Sequence, residues 1–162
     1  MNATASSLPL WPFIILAALV ALGWRQSRER LVRPGTLARV ALVMLALSLY
    51  GVTSAFGAAL LPVLAWALGF AAALGPAGAV FAPRGLSREG EAVRLPGSWL
   101  PMALMLGIFL TRFALGMATG TGSPLLHQAA FIATVSAALG LFSGAFAARA
   151  RAVGRCARIA QA

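Results

Sequence analysis

The sequence predicts an all-α, polytopic membrane helix bundle of about five transmembrane helices, with the N-terminus outside and the C-terminus in the cytoplasm. Three observations carry that expectation. Between Arg39 and Arg84 the chain runs 44 residues without a charged side chain, and between Arg94 and Arg149 it runs 54 with only Arg112. A continuous helix over either run would be about 65 to 80 Å long against a hydrocarbon core about 30 Å thick, so each run must cross twice. Arginines stand at both ends of each run, so each pair of crossings leaves from and returns to the same basic side.

Composition agrees. Of 162 residues 60% are hydrophobic and 10% charged, against roughly 25% charged in soluble domains, and the mean hydropathy is +0.89. All 13 basic residues are arginine, Asp is absent, and the acids are Glu29, Glu89 and Glu91, for a net charge of +10. A pI near 12.0 in a soluble protein would point to nucleic acid. Here the arginines cluster in short segments at helix ends with no aromatic-interleaved basic face, so the reading is positive-inside topology and no nucleic-acid partner.

The chain reads as a single integral membrane domain, 1–162. The first span is 8–24, with Pro9 and Pro12 in its first turns, where a missing N–H costs least, and Trp11 and Trp24 near its two ends as interfacial anchors. Its flank, 1–7, has no positive charge and the arginines follow it, so it reads as a retained anchor rather than a signal peptide. Arg25, Arg28, Arg30, Arg33 and Arg39 with Glu29 make the first cytoplasmic connection, a net +4 broken by Pro34-Gly35. The second span is 40–55 and the third 58–81, turning at Phe56-Gly57, with a kink expected at Gly75-Pro76. The second connection, 83–96, is a net +1, and its segments 85–88 and 91–95 flank Glu89-Gly90 as a small β-hairpin would. Ser98 is the expected N-cap of the fourth span, 98–117. After an outer turn at 119–124 the fifth span, 125–148, ends in a cytoplasmic tail, 149–162, whose four arginines add +4. Twelve of the thirteen arginines thus fall on one face.

Arg112 is the exception. Counted from Trp99 it lies about 20 Å into the hydrocarbon, where insertion costs about 2.5 to 3.5 kcal/mol. Two readings stand: the side chain snorkels to outer-leaflet headgroups, or it faces the bundle. No predicted span or outer loop holds a carboxylate, so a buried Arg112 needs a lipid phosphate, a substrate acid or a partner subunit as counterion, unless carbonyls and hydroxyls suffice. His127 and Tyr50, with Ser48, Thr53, Ser54, Thr111 and Gln128, are placed at similar depth and would complete a polar, ligand-binding pocket if the second, fourth and fifth spans are neighbours. For His127 alone, an interfacial imidazole bonded to backbone or water is the plainer reading.

Other chemistry fails by inventory. One histidine and one cysteine, Cys156, supply no bis-histidine haem ligation, disulfide or ordinary metal site, so no metal and no cofactor is expected. Without Asp, an intramembrane Glu, a second His or a Gly-rich phosphate loop, no catalytic template is met, and the chain is read as no enzyme. Gly116-Gly120 and Gly140-Gly144 have the GxxxG spacing, read as internal packing first and homo-oligomerisation second. The arginine segments read as topology determinants that could also attract anionic lipid. Cys156 reads as an unmodified thiol rather than an acylation site.

The stretch Gly23-Trp24-Arg25-Gln26-Ser27-Arg28-Glu29-Arg30 leading to Leu47-Ser48-Leu49-Tyr50-Gly51, and the stretch Leu95-Pro96-Gly97-Ser98-Trp99-Leu100-Pro101, resemble those of a family of small bacterial inner-membrane proteins of undefined function. The resemblance implies a multi-pass protein of the bacterial inner membrane and no activity. A more distant likeness is to small membrane proteins associated with cytochrome c biogenesis, but the lone Cys156 lacks the paired thiols of that pathway's electron carriers.

The expected function is therefore a non-enzymatic binding or accessory protein of the bilayer, with an anionic lipid or small-acid site at Arg112, His127 and Tyr50 and with a homo-oligomer or membrane protein partner in view. The alternatives are a small anion permease and a membrane subunit of a larger transport or enzyme complex. Reporter fusions to the C-terminal tail should report the cytoplasm, and a periplasmic signal would overturn the topology.

Overall fold

The computed structural model describes residues 11–159, so 8–10 of the first expected span and the last three residues of the tail lie outside the described residues. The protein is mostly helical. Among the described residues there are six α-helices: α1 (Trp11–Gln26), α2 (Pro34–Phe56), α3 (Leu60–Leu74), α4 (Gly78–Phe81), α5 (Leu100–Gly120) and α6 (Ala129–Ile159). Three strands, β1 (Arg30–Val32), β2 (Ser87–Glu89) and β3 (Ala92–Leu95), and a 3-10 turn at Pro124–His127 complete the order.

Three helices, α2, α5 and α6, are long and apolar enough to cross a membrane. They correspond to the second, fourth and fifth expected spans. The third expected span differs from a single rod. At 15 residues α3 is about 22 Å long, and the chain breaks at Gly75-Pro76 before the single turn of α4, because proline has no N–H for the helix ladder. The fifth begins later and ends later than 125–148: Pro124 and Ser123 set up a 3-10 turn, and α6 then runs 31 residues, taking the expected tail into one continuous helix.

The central element is α6, packed principally on α3 and α2. Glycine makes the α3–α6 approach close enough for backbone contact. A Cβ added at Gly69 would collide with the Ala137 carbonyl, one at Gly140 with the Trp66 carbonyl, and one at Gly144 with the Phe70 carbonyl. The Gly140-Gly144 spacing is therefore spent inside the chain. Gly116 and Gly120 of α5 face open space. Around this seam Val52, Trp66, Leu115, Val135 and Leu139 form the main apolar cluster. A polar relay ties three helices beside it. Trp66 Nε1 donates to Ser48 Oγ at 2.9 Å, and Ser48 Oγ donates to the Leu139 carbonyl at 2.9 Å. α1 packs on α5, with Gly23 against Met102 and Trp24 edge-on to Trp99 at 5.7 Å between ring centres.

The two connections that carry most of the remaining arginines meet in one antiparallel sheet ordered β1-β3-β2. β2 and β3 form the expected hairpin, but its loop is Gly90-Glu91 rather than Glu89-Gly90, since Glu89 pairs with Ala92. Gly90 has φ +62°, the conformation a two-residue hairpin loop demands of its first position. The third strand comes from the first connection, with Arg30 opposite Leu95 and Val32 opposite Val93. Alternation turns Val93 and Leu95 onto Val153 of α6, all three essentially fully buried, with half-buried Cys156 at their edge. On the other face Arg94 pairs with Glu29 at 3.8 Å and with Glu89, joining the three strand segments through pairs too exposed to stabilise much. The arginine-bearing segments other than that of Arg112 thus gather at one end of the bundle, the basic end.

The glycine seam gives a direct test. Gly140→Leu must push α3 off α6 and should destabilise the detergent-solubilised protein by about 1–3 kcal/mol or more, whereas Gly116→Ala, in open space, should leave it unchanged or stabilise it by about 0.5–1 kcal/mol. Thermal unfolding of the two variants checks both.

Candidate functional site

Arg112 lies about 18 Å along α5 from Leu100 and about 12 Å short of Gly120, on a helix without any other charge. α5 packs on α1 and α6 and leaves a gap toward α2. The side chain bridges that gap: Arg112 Nη2 donates to the Leu47 carbonyl at 3.2 Å. The guanidinium lies over Gly51, where an added Cβ would collide with its carbon and terminal nitrogens. The local reason is helical register. Leu47 and Gly51 are one turn apart, so the missing side chain of Gly51 uncovers the second lone pair of the Leu47 carbonyl, whose first lone pair serves the helix ladder.

The gap is a cavity of about 360 Å³. One wall is the α2 face of Met44, Leu47, Ser48, Gly51 and Ser54, spaced three and four residues apart as one helical stripe demands. Ile108 and Arg112 of α5 form the opposite wall, and Leu139 and Ser143 of α6 the floor. Tyr50 stands at the mouth, 71% exposed. Most of the hydroxyls are already engaged: Ser54 donates to the Gly51 carbonyl at 3.3 Å, and Ser143 donates to the Gly140 carbonyl at 2.9 Å.

The structure brings Arg112, Tyr50, Ser48 and Ser54 together and leaves the other expected partners out. His127 is exposed at the end of the 3-10 turn and does not line the cavity, nor do Gln128, Thr53 and Thr111. Thr111 donates back to its own helix at the Gly107 carbonyl, 2.8 Å away, and Thr53 likewise to Leu49 at 3.1 Å. Two contributors escaped the sequence reading, Gly51 as the seat of the guanidinium and Ser143 on the floor. The three-residue steps Ser48, Gly51, Ser54 were the available signal for the first.

Chemically, the site offers one guanidinium with most of its five N–H donors unspent, a phenol at the mouth and apolar walls. Those are the elements for binding an oxyanion with an apolar body. The described residues contain no group of three or more His, Cys, Asp or Glu that would hold a metal ion. Their recorded ion pairs, Arg94 with Glu29 and Glu89, lie in the sheet at the basic end.

A family model, that of a family of unknown function (DUF6622), matches residues 2–162. The chain belongs to that family. No curated protein and no solved structure matches the chain. The DUF6622 match covers the whole described bundle and both walls of the Arg112 cavity.

Gly51→Ala separates the seat from the fold. The new methyl displaces only the far end of a flexible side chain, so unfolding should shift by less than about 1 kcal/mol. The Arg112–Leu47 bond should be lost, which an altered Arg112 Nε–H resonance in the detergent-solubilised protein would register.

Proposed function

We propose that this member of DUF6622 is a non-enzymatic, multi-pass protein of the bacterial inner membrane that holds an anionic lipid or a small amphipathic acid between α2 and α5. The basic end faces the cytoplasm in this reading. The observation that carries it is Arg112: a guanidinium in the middle of an apolar helix, half-buried, with a backbone carbonyl as its recorded partner and a cavity beside it. A carbonyl contributes a dipole and no countercharge, so an entering phosphate or carboxylate would gain a charge-assisted, bidentate partner in a low-dielectric setting. The gap is bounded by helices rather than loops, which favours a ligand arriving from within the bilayer. Tyr50 at the mouth would add a phenolic hydrogen bond to the same headgroup.

The complete absence of carboxylates from the helices that could cross a membrane supports binding over proton-coupled transport, since a carboxylate relay has no members here.

Native mass spectrometry of the protein extracted in mild detergent tests the proposal. Arg112→Gln should lower the bound fraction of the anionic ligand held between α2 and α5 by about tenfold relative to wild type, in line with removal of a charge-assisted hydrogen bond. Equal retention by a folded Arg112→Gln variant would overturn it.

A further inference from the structure

A second arginine is more deeply enclosed than Arg112, and nothing above uses it. Arg149 on α6 is 5% exposed, the sole buried charged side chain among the described residues. Its one recorded hydrogen bond is from Nη1 to the Phe81 carbonyl at 3.4 Å, at the end of α4, which occupies one of five N–H donors with a long contact. No carboxylate is recorded against it; Arg94 takes Glu29 and Glu89 elsewhere on the sheet. A buried cation held by one long hydrogen bond costs free energy unless an anion offsets it.

The space for that anion is present. Arg149 lines a cavity of about 450 Å³ together with Arg84, Val80, Pro96, Ser98 and Leu100. Its far wall is the N-terminus of α5, a 21-residue helix whose positive dipole end opens there and whose first N–H, that of Leu100, is already satisfied by Ser98 Oγ at 3.2 Å. One buried guanidinium, a second at the exposed rim and a helix dipole therefore converge on one volume, with Val80 and Leu100 supplying an apolar side. Trp99, exposed and edge-on to Trp24, stands in sequence between the lining residues Ser98 and Leu100, as expected near the level of membrane headgroups.

We propose that the Arg84–Arg149 cavity at the basic end is a phosphate site, separate from the Arg112 gap, filled either by a phospholipid headgroup or by a soluble phosphate. Arg149 binds the oxygens from below with its forked donors, and Arg84 closes the rim. The site stands or falls independently of Arg112.

The test uses the full chain carrying Arg112→Gln in a non-ionic detergent, titrated calorimetrically in two arms, one with dihexanoyl phosphatidylglycerol and one with inorganic phosphate. One-to-one saturable binding of either probe is expected. Binding confined to the lipid arm names the headgroup as the source, and binding confined to inorganic phosphate names a soluble anion. Either upholds the site. Arg84→Gln should weaken that binding by about tenfold and Arg149→Gln should abolish it, as loss of charge-assisted donors requires. Because Arg149 also caps Phe81, its removal can unfold α4; Arg84→Gln, at the exposed rim, then decides alone. Absence of saturable binding in both arms, or an unchanged Kd in Arg84→Gln, would overturn the proposal.

Discussion

A guanidinium cannot be left in oil without a partner, and the placement of thirteen of them organises this bundle. Segments from three distant parts of the sequence converge at the basic end: β1 from the first connection, the β2–β3 hairpin from the second, and the last turns of α6. Once gathered, these segments are adjacent, and strand pairing together with burial of Val93 and Leu95 on Val153 turns a shared polar level into a folded cap. The arginines also finish helices. Arg151 Nη2 donates to the Leu74 carbonyl at 3.2 Å, and Arg149 Nη1 to the Phe81 carbonyl, so cations satisfy the last carbonyl of α3, at its negative dipole end, and that of the single turn α4.

The opposite constraint acts in the apolar interior, where no hydrophobic drive separates helix from lipid and close packing must hold the helices together. Gly69, Gly140 and Gly144 let α3 touch α6 backbone to backbone. That intimacy is asymmetric. With α6 committed to α3 and α2 on one side, α5 rests on it more lightly and leans on α1, which opens the α2–α5 gap that Arg112 spans. Tight packing in one seam and a cavity in the next thus follow from where glycine falls along α6.

How much of this was legible depends on which physical signal each feature leaves. Charge-free length announces helices long enough to cross a membrane, and Phe56-Gly57, Gly75-Pro76 and Glu89-Gly90 mark the breaks to within about a residue, because proline and glycine act locally. The strand at Arg30–Val32 leaves no such mark: three residues amid arginines show no useful periodicity, and the strand exists because β3 is there to pair with it. The continuation of α6 through 149–159 was hidden by the arginines that label it a tail, although alanine and arginine are both good helix formers. For the candidate site, depth was readable and azimuth was not. Arg112 and Tyr50 share a cavity because of which way α2 and α5 face, while His127 is carried off by the 3-10 turn that Ser123 starts by accepting from the Leu125 N–H at 3.4 Å.

Arg112 and Arg149 solve the same problem differently, and the difference bears on exchange. Arg149 bonds the carbonyl that ends the single turn α4, where the acceptor has no ladder partner, so the contact takes up a lone pair the fold would otherwise leave free. Arg112 bonds Leu47 in the middle of α2, where the carbonyl already serves the helix and the dipoles before and after it cancel, so its charge is hardly offset at all. The contact holds because Gly51 offers no side chain to obstruct it, which is permission rather than attraction. An arginine held that lightly can swing from the carbonyl to an entering oxyanion at the cost of one neutral-acceptor hydrogen bond, worth about 1.5 to 3 kcal/mol when the donor is charged, and recover more from a charged acceptor in the same low-dielectric gap. Replacing Gly51 with a residue that blocks the carbonyl would leave the cation without its resting partner and drive it outward along its flexible stem.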